Sequence, residues 1–214
     1  MSSADSDARM DRRLELFATV LLTLAAVATA WSTYQAATWH GSQAEAQSAS
    51  IAARVESTRA ADVANRQAQI DVALFTQWVD AYARDETELA DFYRRRFRDE
   101  FRPAFDAWVA TKPRQNENAP LSPFAMPQYK LAASAEADRL EAQATADSID
   151  VKTYIQRADD YMLAVVLFAT SLFFAGISTK LHARRLRIAV LCVGYAMLLG
   201  TAIWIATNPI NLSA

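Results

Sequence analysis

Five arginines, Arg94, Arg95, Arg96, Arg98 and Arg102, interleave with Tyr93, Phe97, Phe101, Phe105 and Trp108. The aromatics recur every three or four residues, so on a helix they form one packing stripe with guanidinium groups beside it. Such a surface can hold phosphate, an anionic lipid or a partner protein, and Arg94, Arg95, Arg98 and Arg102 are the candidate contacts. The same residues suit a plainer arrangement, a core stripe flanked by solvated ion pairs. Arg95 would then face Asp99, Arg96 face Glu100, and Arg102 face Asp106, each at i+4. A second cluster, Asp85, Glu86, Glu88 and Asp91, could meet a divalent cation, but acids on an exposed helix ordinarily face water.

No motif assembles a catalytic centre. The lone cysteine, Cys192, lies in the last apolar stretch, and His40 and His182 are too few for a His/Cys metal cluster. Neither phosphate-cradling glycine motif occurs. The sequence therefore predicts no enzyme, no cofactor and no metal site. A net charge of -2 gives no electrostatic case for nucleic acid. Asn211-Leu212-Ser213 fits a glycosylation sequon.

The elements that must position these residues begin with three apolar runs, Leu14 to Tyr34, Tyr161 to Leu181 and Ile188 to Ala206. Each has about 19–21 residues, enough at about 1.5 Å per residue to cross a hydrocarbon core of ~30 Å. Arg9, Arg12 and Arg13 precede the first run, and Lys180, Arg184, Arg185 and Arg187 join the second to the third. Both clusters can face the cytoplasm only if the N-terminus is inside and residues 38–160 and the C-terminus are outside. Trp31, Tyr34, Trp39, Tyr161 and Trp204 mark the outer ends. Ala28-Thr29-Ala30 resembles a signal-peptide cleavage site, but the helical pattern continues through Trp39, which predicts an uncleaved anchor.

These boundaries divide the chain into a cytoplasmic tail (1–13), a first span (14–37), a helical domain (38–160), a second span (161–181), a loop (182–187), a third span (188–207) and an outer C-terminus (208–214). Within the helical domain, Trp39, Gln43, Ala46, Ser50, Ala53, Ser57, Ala60, Ala64, Gln67, Asp71, Leu74, Trp78 and Ala81 trace a seam of mainly small residues at 3-4 spacing. Ala133, Ala137, Leu140, Ala144, Asp147, Val151, Tyr154 and Ala158 trace its return and run into the second span. The expected fold is all-α: three transmembrane helices with an extracytoplasmic, coiled-coil-like helical hairpin. One helix is expected from about Tyr129 to Leu181. Pro103 should break the helix that carries the arginines, and Pro127 suits the first turn of the next. The proline-rich connection 112–128 should be stitched down by Leu121, Phe124 and Met126.

No ionisable residue lies in the middle of a span, which disfavours charge-driven transport. Ala25, Thr29, Ser32 and Ala36 form a small face on the first span, and Ala196 and Gly200 do so on the third. Small faces let membrane helices pack closely, within one chain or between copies. Thr19, Thr23 and Thr33 could instead line the axis of an oligomeric channel.

Several stretches resemble a family of bacterial three-span inner-membrane proteins of uncharacterised function. They are W-S-T-Y-Q-A-A-T-W-H-G-S-Q after the first span, R-F-R-D-E-F-R-P-A-F-D-A-W, S-P-F-A-M-P-Q-Y, and L-F-F-A-G-I-S-T-K in the second span. The resemblance covers most of the chain and implies a bacterial inner membrane, but it lends no activity. The expectation is a non-enzymatic homo-oligomer in the lipid bilayer whose outer domain acts as a scaffold or binds an envelope protein. An oligomeric channel is the alternative.

Overall fold

A computed structural model describes residues 3–211, with side chains from Arg9 onward; the ends of both expected tails, 1–2 and 212–214, lie outside the described residues. Among these residues there are five α-helices and one 3-10 turn, and no strand. The helices are α1 (Ser3–Ala83), α2 (Thr87–Arg94), α3 (Arg102–Ala110), α4 (Ala132–Ser178) and α5 (Arg184–Ala206). The 3-10 turn is Pro123–Ala125. α1 can run for 81 residues because it contains no proline and a single glycine, Gly41. α1, α4 and α5 are each long and apolar enough to cross a membrane, with windows of mean hydropathy 1.8, 2.0 and 2.2. Few residues in these windows are buried; Leu16, Phe17, Leu24 and Val27 of α1 are all at least half exposed. So continuous an apolar surface suits lipid and not water.

The chain divides into two compact units. The first comprises residues 1–48 and 147–214. Its core joins Leu14, Ala18, Leu21 and Ala25 of α1 to Ala164, Phe168 and Ala175 of α4 and to Leu191 and Leu198 of α5. Gly194 is buried here, and a Cβ added to it would meet Leu21 Cδ2 at 2.8 Å, so a larger residue would have to push the tip of the Leu21 side chain aside. Ala36, Trp39, Ala158 and Tyr161 form a second cluster. The segment after α5 is clasped by Gln35: its Nε2 donates to the Asn211 carbonyl at 3.1 Å, and its Oε1 accepts the Asn211 N–H at 2.9 Å. Asn211 Nδ2 in turn donates to Ser42 Oγ at 2.9 Å, so the sequon asparagine is engaged inside the fold. The connection between α4 and α5 is displaced to 179–183 from the expected 182–187, because α4 stops at Ser178 and Arg184, Arg185 and Arg187 already belong to the first turn of α5.

The second unit comprises residues 49–146. Here the small-residue seams of α1 and α4 meet: Ser50, Ala53, Ser57 and Ala64 are buried on one side, Ala137 and Ala144 on the other. Ser50 Oγ donates to the Ala144 carbonyl at 2.9 Å, and Ser57 Oγ to the Ala137 carbonyl at 3.0 Å. The two bonds are one heptad apart on each helix and share one antiparallel register. Serine is small enough for this approach and brings a donor that aliphatic seams lack.

α1 ends where the sequence carries no glycine signal. Asp85 adopts φ 60, Glu86 N–H bonds to the Ala81 carbonyl at 3.0 Å, and Asp85 N–H bonds to the Tyr82 carbonyl at 3.3 Å. This is a Schellman cap with aspartate in the left-handed position. Three expectations are corrected beyond it. The arginine-bearing helix stops at Arg94, ahead of Pro103, which sits in the first turn of α3. Pro127 lies in a turn, and α4 starts only at Ala132. Leu121 does not stitch the connection down, being 99% exposed, whereas Phe124 and Met126 do pack on the core.

Candidate functional site

One end of the second unit is built on aromatic residues. Trp78, Phe97, Phe101, Phe105 and Trp108 are buried together, with Tyr93 packed beside them, so the sequence stripe does pack as one body although it spans two helices and a turn. Its hub is Phe75, which the sequence reading passed over. Phe75 meets Trp108 edge-on at 5.4 Å and Phe124 edge-on at 5.6 Å, between Trp78 and Phe101. Edge-to-face packing of this kind adds directional preference to simple burial.

Beside this core lies a polar knot. Asp71, on the α1 seam, has no exposed side-chain surface. Its Oδ2 accepts from Arg98 Nη1 at 2.9 Å and from the Tyr129 hydroxyl at 3.2 Å. Arg98 Nη2 donates to Glu100, whose Oε1 accepts the N–H of Ala132, the first residue of α4, at 3.0 Å. One network thus ties α1, the 95–101 turn and the start of α4. Asp71 Oδ1 has no partner among the described residues. Burial pushes the Asp71 carboxyl above its ordinary value, against the opposing pull of Arg98. Burial, followed by the charge of Asp71, pushes the Tyr129 phenol up to about 12.

The four candidate arginines do not form one basic face. Arg94 pairs with Asp106 at 2.9 Å, Arg98 with Asp71 and Glu100, and Arg102 with Asp99 at 3.1 Å. Arg95 caps α2, and among the described residues its side chain has no ion pair. The expected i+4 pairs are absent among the described residues: Arg95–Asp99 and Arg96–Glu100 because the chain is not helical from 95 to 101, and Arg102–Asp106, though both lie in α3, because Asp106 pairs with Arg94 and Arg102 with Asp99. Arg96 instead lies over the Phe92 ring, 3.4 Å from its centroid. Among the described residues no group of three or more His, Cys, Asp or Glu is placed to hold a metal ion.

The small-face residues separate into two sets. Ala25, Ser32 and Ala36 are buried inside the chain, with Thr29 half-buried and back-bonded to the Ala25 carbonyl at 2.7 Å. Ala196 and Gly200 on α5 remain exposed. Thr19, Thr23 and Thr33 each donate to the carbonyl four residues earlier, at 2.9–3.0 Å, and so are satisfied within their own helix.

A cavity of about 690 Å³ lies where the end of α1, the end of α3 and the loop 112–121 meet, lined by Trp78, Tyr82, Trp108, Lys112, Arg114 and Glu117. Trp108 Nε1 donates to the Pro120 carbonyl at 2.7 Å and holds the loop over it. Comparison with known protein families, curated proteins and solved structures finds no match for this chain.

Proposed function

We propose that this protein is a non-enzymatic, homo-oligomeric integral membrane protein of a bacterial inner membrane. Its N-terminus lies in the cytoplasm, and residues 38–160 and the C-terminus lie outside, where the helical domain scaffolds an envelope assembly or binds an envelope partner. The two basic clusters and the aromatic residues at the opposite helix ends support this orientation.

The observation that carries the scaffold reading is the way polar chemistry is used. α1 and α4 each join an apolar window to a polar length, and the polar lengths are fastened to each other by Ser50 and Ser57. Asp71, Arg98 and Glu100 tie α1 to the start of α4. These groups hold backbone in place, as a rigid presenting element requires. Self-association is drawn through α5, since the small face of α1 is consumed inside the chain while Ala196 and Gly200 stay open.

The test is the mass of the gently solubilised particle. The expected result is a discrete multiple of the 23.7 kDa chain, reduced to a single chain by Gly200→Leu with Ala196→Leu. A single-chain mass for the unaltered protein at every concentration would remove the homo-oligomer.

A further inference from the structure

The cavity beneath the proline-rich loop has features that the packing of the unit does not require. Its floor is aromatic, from Trp78, Tyr82 and Trp108, and its rim carries Lys112 and Arg114 against one acid, Glu117. Arg114 lies over the Tyr82 ring, 4.7 Å from the centroid. A guanidinium over a ring still carries N–H donors that a carboxylate can use. Among the described residues neither Lys112 nor Arg114 forms an ion pair, in contrast to Arg94, Arg98 and Arg102 nearby.

The loop is also preorganised. Lys112 adopts φ 51, Asn116 Nδ2 donates to the Thr111 carbonyl at 3.2 Å, and the Asn118 N–H donates to Asn116 Oδ1 at 3.0 Å. With the Trp108 clasp on Pro120, these bonds fix the two cations beside the aromatic floor. The volume falls within the range typical of small-ligand sites.

We propose that this cavity binds an organic carboxylate with an aromatic or aliphatic body, the body lying on Trp78, Tyr82 and Trp108 and the carboxylate held by Arg114 and Lys112. A free carboxylic acid and the C-terminal end of a peptide share this chemistry. The site goes beyond the scaffold reading and does not depend on self-association.

The experiment uses the full chain in lipid nanodiscs, with empty nanodiscs as the blank and calorimetric titration as the readout. The probes are phenylbutyrate and acetyl-Leu-Phe with a free C-terminus, each beside its neutral amide. Saturable binding of either carboxylate, at least about tenfold tighter than its amide, is expected. The probe that binds better assigns the source, free acid or peptide end. Arg114→Gln with Lys112→Gln should abolish binding and leave the denaturation curve nearly in place, since both side chains are exposed and neither forms an ion pair among the described residues. The proposal is overturned if neither carboxylate binds up to about 5 mM. It is equally overturned if the amides bind as well as the acids, or if the double variant binds like the unaltered protein.

Discussion

Replacing Arg98 with methionine keeps the aliphatic stem but removes the cation that faces Asp71. The Asp71 side chain has no exposed surface and Arg98 is 22% exposed, so this is a largely buried pair. Removing one member of such a pair costs about 3–5 kcal/mol, most of it from the stranded charge. Tyr129 still donates to Asp71, and the carboxyl can escape by taking up a proton, which places Arg98→Met near the low end, at about 3 kcal/mol. Adding Asp71→Asn removes the stranded charge while keeping an acceptor for Tyr129, and should restore about half of the loss. The pH dependence follows from the same carboxyl. Its value in the fold is raised above 3.8, so the native state holds this proton more tightly than the unfolded chain. Its contribution is therefore fully present below pH 3.8 and is lost as pH rises through the raised value. In Arg98→Met that decline steepens, and Asp71→Asn abolishes it. The assay is urea denaturation of the full chain in mild detergent, followed by tryptophan fluorescence, since Trp78 and Trp108 lie in the same unit. A loss below about 1 kcal/mol for Arg98→Met, or a double variant no better than the single, would refute the reasoning.

Three further outcomes are expected. The Tyr129 phenol is pushed up to about 12, so its contribution to stability is complete below pH 10 and lost as pH rises to about 12; ultraviolet titrations of the protein and of Tyr129→Phe should differ by one late-ionising phenol. Ser50→Ala and Ser57→Ala should each cost about 0.5–1.5 kcal/mol, and additively within about 0.5 kcal/mol because they share no partner; urea midpoints check both. Asp85→Gly should stabilise the end of α1 by up to about 1 kcal/mol because φ 60 suits glycine, while Asp85→Val should lower stability by more than that; thermal midpoints of the two variants should move in opposite directions.

The long helices were legible because their signals are local and repeated. Absence of proline, one glycine and a 3-4 seam from Trp39 to Ala81 predicted α1, and the return seam predicted α4 to within three residues at each end. The seam also put Asp71 on the buried face. Its partners were invisible, because Arg98 and Tyr129 lie 27 and 58 residues away and no spacing rule links them. Where the first long helix bends could not be placed from the sequence, because the left-handed position after Ala83 is filled by Asp85, and aspartate is a far weaker stop signal than glycine. Two of the i+4 ion pairs presumed a helix through 95–101 that the chain does not form, and the third, Arg102–Asp106, lost to partners from outside α3. Phe75 sits one residue off the seam, so its place at the centre of the aromatic core depends on α3 and the Pro123–Ala125 turn, which only the tertiary fold supplies. Lys112 and Arg114 were not legible as a pair because they stand in a proline-rich segment without the periodic spacing that marks a shared face.

The central claim, a helical domain held outside the cytoplasm by three membrane helices, is tested most directly by cysteine accessibility. In a Cys192→Ser background, Glu88→Cys on α2 and His182→Cys between α4 and α5 supply single, exposed reporters. A membrane-impermeant maleimide applied to intact spheroplasts should label Glu88→Cys at once and His182→Cys only after lysis. Labelling of His182→Cys in intact spheroplasts, with Glu88→Cys protected until lysis, would contradict the account.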